Sequence, residues 1–215
     1  MDHQIVISYI NKIPLLIALL LVARNYLRFS VELKVISWYV FLSVIVQFSS
    51  QYLASQKINN MYLLHIFVPT SFVCLSMFYQ KTYASFLNRK IIWWIVSLFV
   101  VYSVFNSMYW EDIKTFNSYA LSVESVLLII YSLSLFALLL NEEVRNEKRE
   151  LLSSLRWINS GILIYYASGL LIFYFGDFLT RFSFEKFQIS WLFHSFIYIV
   201  QFTCISIGLW KYQKK

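Results

Sequence analysis

The chain has 215 residues, of which 60% are apolar and 13% charged, with a formal net charge of +7; soluble domains carry about 45 to 50% apolar and about 25% charged residues. That balance excludes a soluble enzyme or nucleic-acid-binding domain and reads as an all-α integral membrane protein, a single transmembrane domain over 1–215. Seven apolar runs, at about 5–23, 35–54, 61–80, 91–108, 119–140, 157–175 and 189–209, each approach the roughly 20 residues that a spanning helix needs.

The first run has no positive charge in its Asp2-His3 flank, is interrupted by Lys12, and lacks a small-residue cleavage site at Leu21-Val22-Ala23. It is therefore expected to stay in the protein as a span and not to be removed as a signal peptide. Pro14 in the first run and Pro69 in the third predict kinks, each freeing a carbonyl that a neighbour must satisfy. The second run carries Gln47 and Gln51, four residues apart and so on one helix face. The third holds His65 and Cys74, the fourth Asn106, and the fifth Glu124.

The segment 141–156 (NEEVRNEKRELLSSLR) mixes acidic and basic residues and reads as a solvated helical extension of the fifth span, a place where a signalling or membrane partner would dock. The sixth run holds Gly161, Ser168, Gly169 and, at its end, Gly176, in two rows of small residues spaced by seven. Small residues let helices approach closely, which predicts the sixth span at the centre of the bundle. The seventh run places His194, Tyr198 and Gln201 on one face and ends with Cys204 and Gly208. Both cysteines fall inside spans and read as small apolar residues.

The basic residues are one-sided. The segments 24–34, 81–90, 141–156 and 210–215 hold thirteen Lys and Arg against five Asp and Glu, while the other side holds five against five. Only Glu124 falls inside a span among the acids. By the positive-inside rule the N-terminus is outside and the C-terminus cytoplasmic, in the inner (cytoplasmic) membrane. The net charge is an orientation signal, and no nucleic-acid partner is expected.

A parallel 3+1+3 duplication fits loosely: His65 aligns with His194, Trp38 with Trp157 and Lys12 with Glu124, with the fourth span as linker. In the expected orientation Lys12, Gln47, Gln51, His65, Asn106, Glu124 and His194 lie in the outer half, with Tyr198 and Gln201 continuing the His194 face. They predict an outward-facing polar cavity closed below by apolar side chains. Ionisable groups within spans are functional candidates by default. Glu124 either pairs with Lys12 or is a protonatable group coupled to proton movement, and the structural alternative is a shallow Glu124 with Lys12 snorkelling to the interface. Two His and one Glu match zinc ligands by type alone. No metal, other cofactor or catalytic site is expected, since no G-x-S-x-G, H-E-x-x-H, phosphate loop or C-x-x-C occurs.

The stretches WINSGILIYYASGLLIF from Trp157, and WLFH from Trp191 through Ile207-Gly208-Leu209-Trp210, resemble an uncharacterised family of small bacterial seven-span proteins. That resemblance implies a sensory role through a loose association with two-component signalling. It marks Asn159, Ser160, Ser168, Gly169 and His194 without giving them a chemistry. Three functions remain open on sequence: a sensor or receptor-like module, a small-solute or proton-coupled transporter, and a structural or accessory subunit. A homo-oligomer is compatible with each.

Overall fold

The computed structural model describes residues 10–83, 89–147, 149, 151–175, 178 and 184–212. Within them the chain forms eight α-helices: α1 Ile13–Asn25, α2 Val31–Ser55, α3 Met61–Thr82, α4 Arg89–Tyr109, α5 Ser118–Leu138, the short α6 Glu142–Glu147, α7 Leu152–Tyr174 and α8 Phe184–Lys211. Six of these, α2, α3, α4, α5, α7 and α8, are long and apolar enough to cross a membrane. The protein is thus a helical multi-pass membrane protein.

Its surface agrees. Leu20, Phe41, Leu98, Val101, Leu133 and Leu171 are all exposed on the helix faces, an arrangement that water would penalise and lipid accepts. All seven tryptophans are exposed, from Trp157 at 37% to Trp210 at 70%, and they sit near helix ends, as an interfacial aromatic belt requires. Lys211 lies over the Trp157 ring at 5.5 Å.

Successive helices pack side by side in a ring, α1 on α2, α2 on α3, α3 on α4, α4 on α5, α5 on α7 and α7 on α8, and α8 closes it against α1. The most extensive contact is α7 with α8, followed by α7 with α5. Glycine explains the first. A Cβ on Gly161 would lie 2.8 Å from Cys204 Cβ and 2.9 Å from the Gln201 carbonyl, and a Cβ on Gly208 would lie 2.6 Å from Ile158 and 2.9 Å from the Ser154 carbonyl. Each helix thus offers the other one glycine, and the backbones meet twice.

Several expectations need correction. Ser168 is exposed, so it does not extend the Gly161 row into a packing seam. Gly169 is buried, yet its missing Cβ makes room for the Phe173 ring of its own helix at 2.7 Å and not for a neighbouring helix. Gly176 lies outside the described residues. Two helices have three neighbours each, α3 on α2, α4 and α5, and α5 on α3, α4 and α7, whereas α7 has two neighbours, α5 and α8, with which it makes the two most extensive contacts. The segment 141–156 is not a continuous extension of α5. That helix stops at Leu138, the Leu140 and Asn141 amides close turns on Ala137 and Leu138, and α6 starts afresh with the Arg145 amide on the Asn141 carbonyl. Asn competes poorly as a helix-interior residue and well as a cap. From Leu152 onward the segment already belongs to α7, because Ser154 and Leu155 are fully buried.

Pro14 lies in the first turn of α1, where proline is tolerated, and not in its interior. The described α1 has 13 residues, about 20 Å of helix, against the roughly 30 Å of a hydrocarbon core; the start of the expected 5–23 span lies outside the described residues. Around Pro69, inside α3, the Thr70 hydroxyl reaches the Ile66 and Phe67 carbonyls at 2.7 and 2.9 Å. These are the carbonyls next to that of His65, the one which Pro69 leaves without its amide donor.

Candidate functional site

Side chains of α3, α5 and α7 meet in two hydrogen-bonded layers. In the first, Glu124 of α5, 1% exposed, accepts from the Ser71 hydroxyl of α3 at 2.8 Å and from the Tyr166 hydroxyl of α7 at 3.3 Å, both at Oε1. In the second, the Tyr79 hydroxyl of α3 donates to Asn159 Oδ1 of α7 at 2.8 Å and meets Ser132 Oγ of α5 at 2.6 Å. Asn159 Nδ2 closes this layer on the Ser132 carbonyl at 3.0 Å.

The spacing is regular. Ser71 and Tyr79 are eight residues apart on α3, Glu124 and Ser132 eight apart on α5, and Asn159 and Tyr166 seven apart on α7, which stacks the layers about 10 to 12 Å from each other along the same three helices. The Glu124 layer is extended sideways. Tyr166 also bears on the Tyr39 hydroxyl of α2, which accepts from Gln201 Nε2 of α8 at 3.2 Å. Five helices therefore contribute to one polar belt: Ser71, Glu124, Tyr166, Tyr39 and Gln201.

The direction of this polarity differs from the expected outward-facing cavity. Three residues from Ser71 and Glu124, toward the end of the bundle that holds the loop 110–117, are Val68 and Leu121, both buried and apolar. Toward the opposite, basic end the core stays polar through Tyr79, Ser132 and Asn159. The basic half is the richer one in buried hydroxyls, because tyrosine counts as apolar in a hydropathy reading and carries its oxygen inside.

The other candidates are dispersed. His65 Nε2 lies 3.2 Å from the Thr115 carbonyl and so carries a hydrogen, while Nδ1 meets the Ser107 hydroxyl of α4 at 2.8 Å. Asn106 donates to Glu111 Oε2 at 2.7 Å and to Asn117 Oδ1 at 3.1 Å. Glu111 Oε1 accepts the Ser118 amide at 2.9 Å, and its two oxygens share the Tyr119 amide. A buried carboxylate thereby caps the N-terminus of α5, where amides and helix dipole favour negative charge. With the Asn59 amide on the Lys114 carbonyl at 2.9 Å, these bonds clamp the loop 110–117 onto α3 and α4. His65 and Asn106 belong to this clamp and not to the Glu124 belt.

His194 is half-buried at the same end, between α7 and α8. Tyr165 OH lies 3.0 Å from its Nε2, Trp191 stacks on it at 5.1 Å and Phe173 meets it edge-on at 5.6 Å. The space that Gly169 leaves is what allows Phe173 to fold back there. Tyr198 packs half-buried on Phe202 and Tyr165. The two histidines aligned by the internal match thus have unlike partners. Among the described residues no group of three His, Cys, Asp or Glu could hold a metal ion.

Lys12 is buried with its ammonium 5.5 Å from the Phe48 ring centre on α2, and the expected Lys12 to Glu124 pair is not formed: Glu124 is held by neutral hydroxyls. Among the described residues the ion pair is Arg145 with Glu142, 3.6 Å apart at the surface. Gln47 and Gln51 are half-buried, and the groove of about 490 Å³ nearby is lined by Phe48, Ser49, Tyr52, Leu53, Tyr62 and Leu63, without either glutamine.

Sequence reasoning found Glu124 and Gln201, and missed Ser71, Tyr166, Tyr39, Tyr79, Ser132 and Glu111. Spacing on a single helix could not reveal them. The detectable signal is a buried serine or tyrosine at matching depth on several spans. No protein-family model, no curated protein and no solved structure matches the chain, so its chemistry has to be read from this geometry.

Proposed function

We propose that the chain is a seven-span sensory module of the inner (cytoplasmic) membrane, with α1 as the first crossing, the N-terminus outside and the basic end of the bundle in the cytoplasm. Its responsive centre is Glu124, and its output passes through the 139–151 connection to a cytoplasmic or membrane partner. One observation carries the reading: an ionisable carboxyl sits fully buried where α3, α5 and α7 meet, held by hydroxyls alone. Such a group is costly in a bilayer and marks function by default. The charge asymmetry of the loops supports the orientation, and the resemblance of the 157–173 and 191–210 segments to a family linked with two-component signalling supports the class.

The mechanism is a population shift. A change at Glu124, by proton or by ligand, alters how strongly Ser71 and Tyr166 are held, and biases α7 against α3 and α5. A shift of this kind requires the two packings to bind the proton or ligand unequally. Because α7 begins where the 139–151 connection ends, its movement is delivered to the cytoplasmic face.

The test is reconstitution of the purified chain in proteoliposomes together with a pulldown. We expect tryptophan fluorescence to respond to pH or to added solute, the Glu124→Gln variant to lose that response, and a partner to be retained through the cytoplasmic side. Solute or proton flux by the chain alone would replace this reading with a proton-coupled transporter. Instability that only a partner relieves would make it an accessory subunit.

A further inference from the structure

The basic end of the seam between α7 and α8 carries four exposed side chains that take no part in the polar core: Arg156 and Trp157 of α7, Trp210 and Lys211 of α8. The close backbone approach brings the two helices together at this point. The Ser154 carbonyl lies 2.9 Å from where a Gly208 Cβ would stand, and Trp157 and Lys211 each follow three residues later in their own helices. Across that contact the Lys211 ammonium sits over the Trp157 ring at 5.5 Å, which holds a long, flexible cation against the outer surface of the seam. Arg156 is four residues past the start of α7, about 6 Å of helix rise, beside an indole of the interfacial belt.

Neither cation has a carboxylate partner. Residues 152–175 and 189–211 contain no Asp or Glu, and neither do the adjoining α1 and the basic half of α5. The acids nearest along the chain belong to the 139–151 connection, where Glu142 is paired with Arg145. Among the described residues Arg156 and Lys211 form no ion pair.

Two unneutralised cations at the rim of a bilayer favour an anion. A guanidinium takes two phosphate oxygens at once, an ammonium takes another as a point charge, and each exposed indole adds one N–H donor. The surface leading away from the patch decides the source of that phosphate. Trp157, Ile164, Ser168 and Leu171 follow one another at spacings of seven, four and three, on one exposed face of α7. Ile164 is 41% and Leu171 69% exposed, and the small Ser168 leaves a shallow place between them. A soluble anion would use the charges alone, whereas a phospholipid uses the charges and this face together.

We infer that Arg156, Trp157, Trp210 and Lys211 form a binding site for the phosphate of an anionic phospholipid, in the leaflet at the basic end, with an acyl chain along the Ile164, Ser168 and Leu171 face. The bound lipid ties α7 to α8 beyond the reach of their glycine contacts. This site is independent of Glu124 and of which side of the membrane the basic end faces.

The test is native mass spectrometry of the full chain released from nanodiscs of phosphatidylcholine mixed equally with phosphatidylglycerol. The parent is expected to retain phosphatidylglycerol in preference. One cation near an anionic surface is worth roughly fivefold in affinity, so the Arg156→Gln, Lys211→Gln double variant should lower that preference by roughly ten- to thirtyfold. Removing the same charge from α3 and α4 at the same end, with Lys81→Gln, Lys90→Gln, should leave it in place. A parent that keeps the two lipids in their membrane ratio overturns the inference, as does a Lys81, Lys90 variant that loses as much as the Arg156, Lys211 one. A parent without lipid preference that inorganic phosphate protects against thermal unfolding gives the patch to a soluble anion, and also overturns it. The lipid preference is read first on the parent, so the outcome does not depend on how well the variants fold.

Discussion

Two buried glutamates lie thirteen residues apart and are held in opposite ways. Glu111 takes two backbone amides and one side-chain amide, donors fixed by the start of α5 and by α4. Glu124 takes two hydroxyls, Ser71 and Tyr166, from two other helices. A backbone amide can only donate, so the first site offers its carboxyl group donors alone. A hydroxyl donates or accepts by rotating, so the second tolerates either protonation state of the acid.

The comparison can be broken by substitution, starting where the largest loss is expected. Glu111→Ala leaves the Ser118 and Tyr119 amides and the Asn106 side chain without their acceptor, and should cost about 2 to 4 kcal/mol. Thermal unfolding in detergent measures it, and a stability equal to the parent would show that the clamp on the loop 110–117 is ornamental. Tyr79→Phe removes the donor to Asn159 and the contact with Ser132, for an expected loss of about 1 to 3 kcal/mol. It should leave the pH response of tryptophan fluorescence in place, because the second layer shares α3, α5 and α7 with Glu124 but does not contain it.

Ser71→Ala should destabilise by only about 1 kcal/mol, since Tyr166 still holds Glu124, and should shift the midpoint of the fluorescence response. An unshifted midpoint would separate Ser71 from the titrating centre. Glu124→Gln is expected to be the mildest in stability, within about 1 kcal/mol, because the amide oxygen accepts the same hydroxyls. Its response to pH should nevertheless vanish, and a variant that keeps the full response would place the sensing group elsewhere.

The spans were legible because hydropathy over some twenty residues is a long, redundant signal: α3 begins at Met61 as expected, and α4, α5 and α8 lie within a few residues of the expected runs. Glu124 was legible too, as the acid inside a span. What stayed hidden is pairwise. Tyr79 and Asn159 are eighty residues apart, Tyr39 and Gln201 one hundred and sixty-two, and nothing local announces that they share a depth. Glu111 escaped because a glutamate in a short loop looks solvated until the loop folds back over α3 and α4. Gly208 escaped for a related reason: its value lies in Ile158 and Ser154 on the other helix. The expected cavity failed on polarity, since His65 and Asn106 spend their hydrogen bonds on the clamp.

The reciprocal seating of Gly161 and Gly208 has a mechanical side. Two contact points between α7 and α8, separated by about one to two turns, oppose either helix rolling independently of its neighbour. The pair behaves as a stiff lever with Tyr166 on one arm and Gln201 on the other. Any motion that lifts Tyr166 from Glu124 therefore also strains the grip of Gln201 on Tyr39, so α5 and α2, on opposite sides of the lever, receive the same event at once.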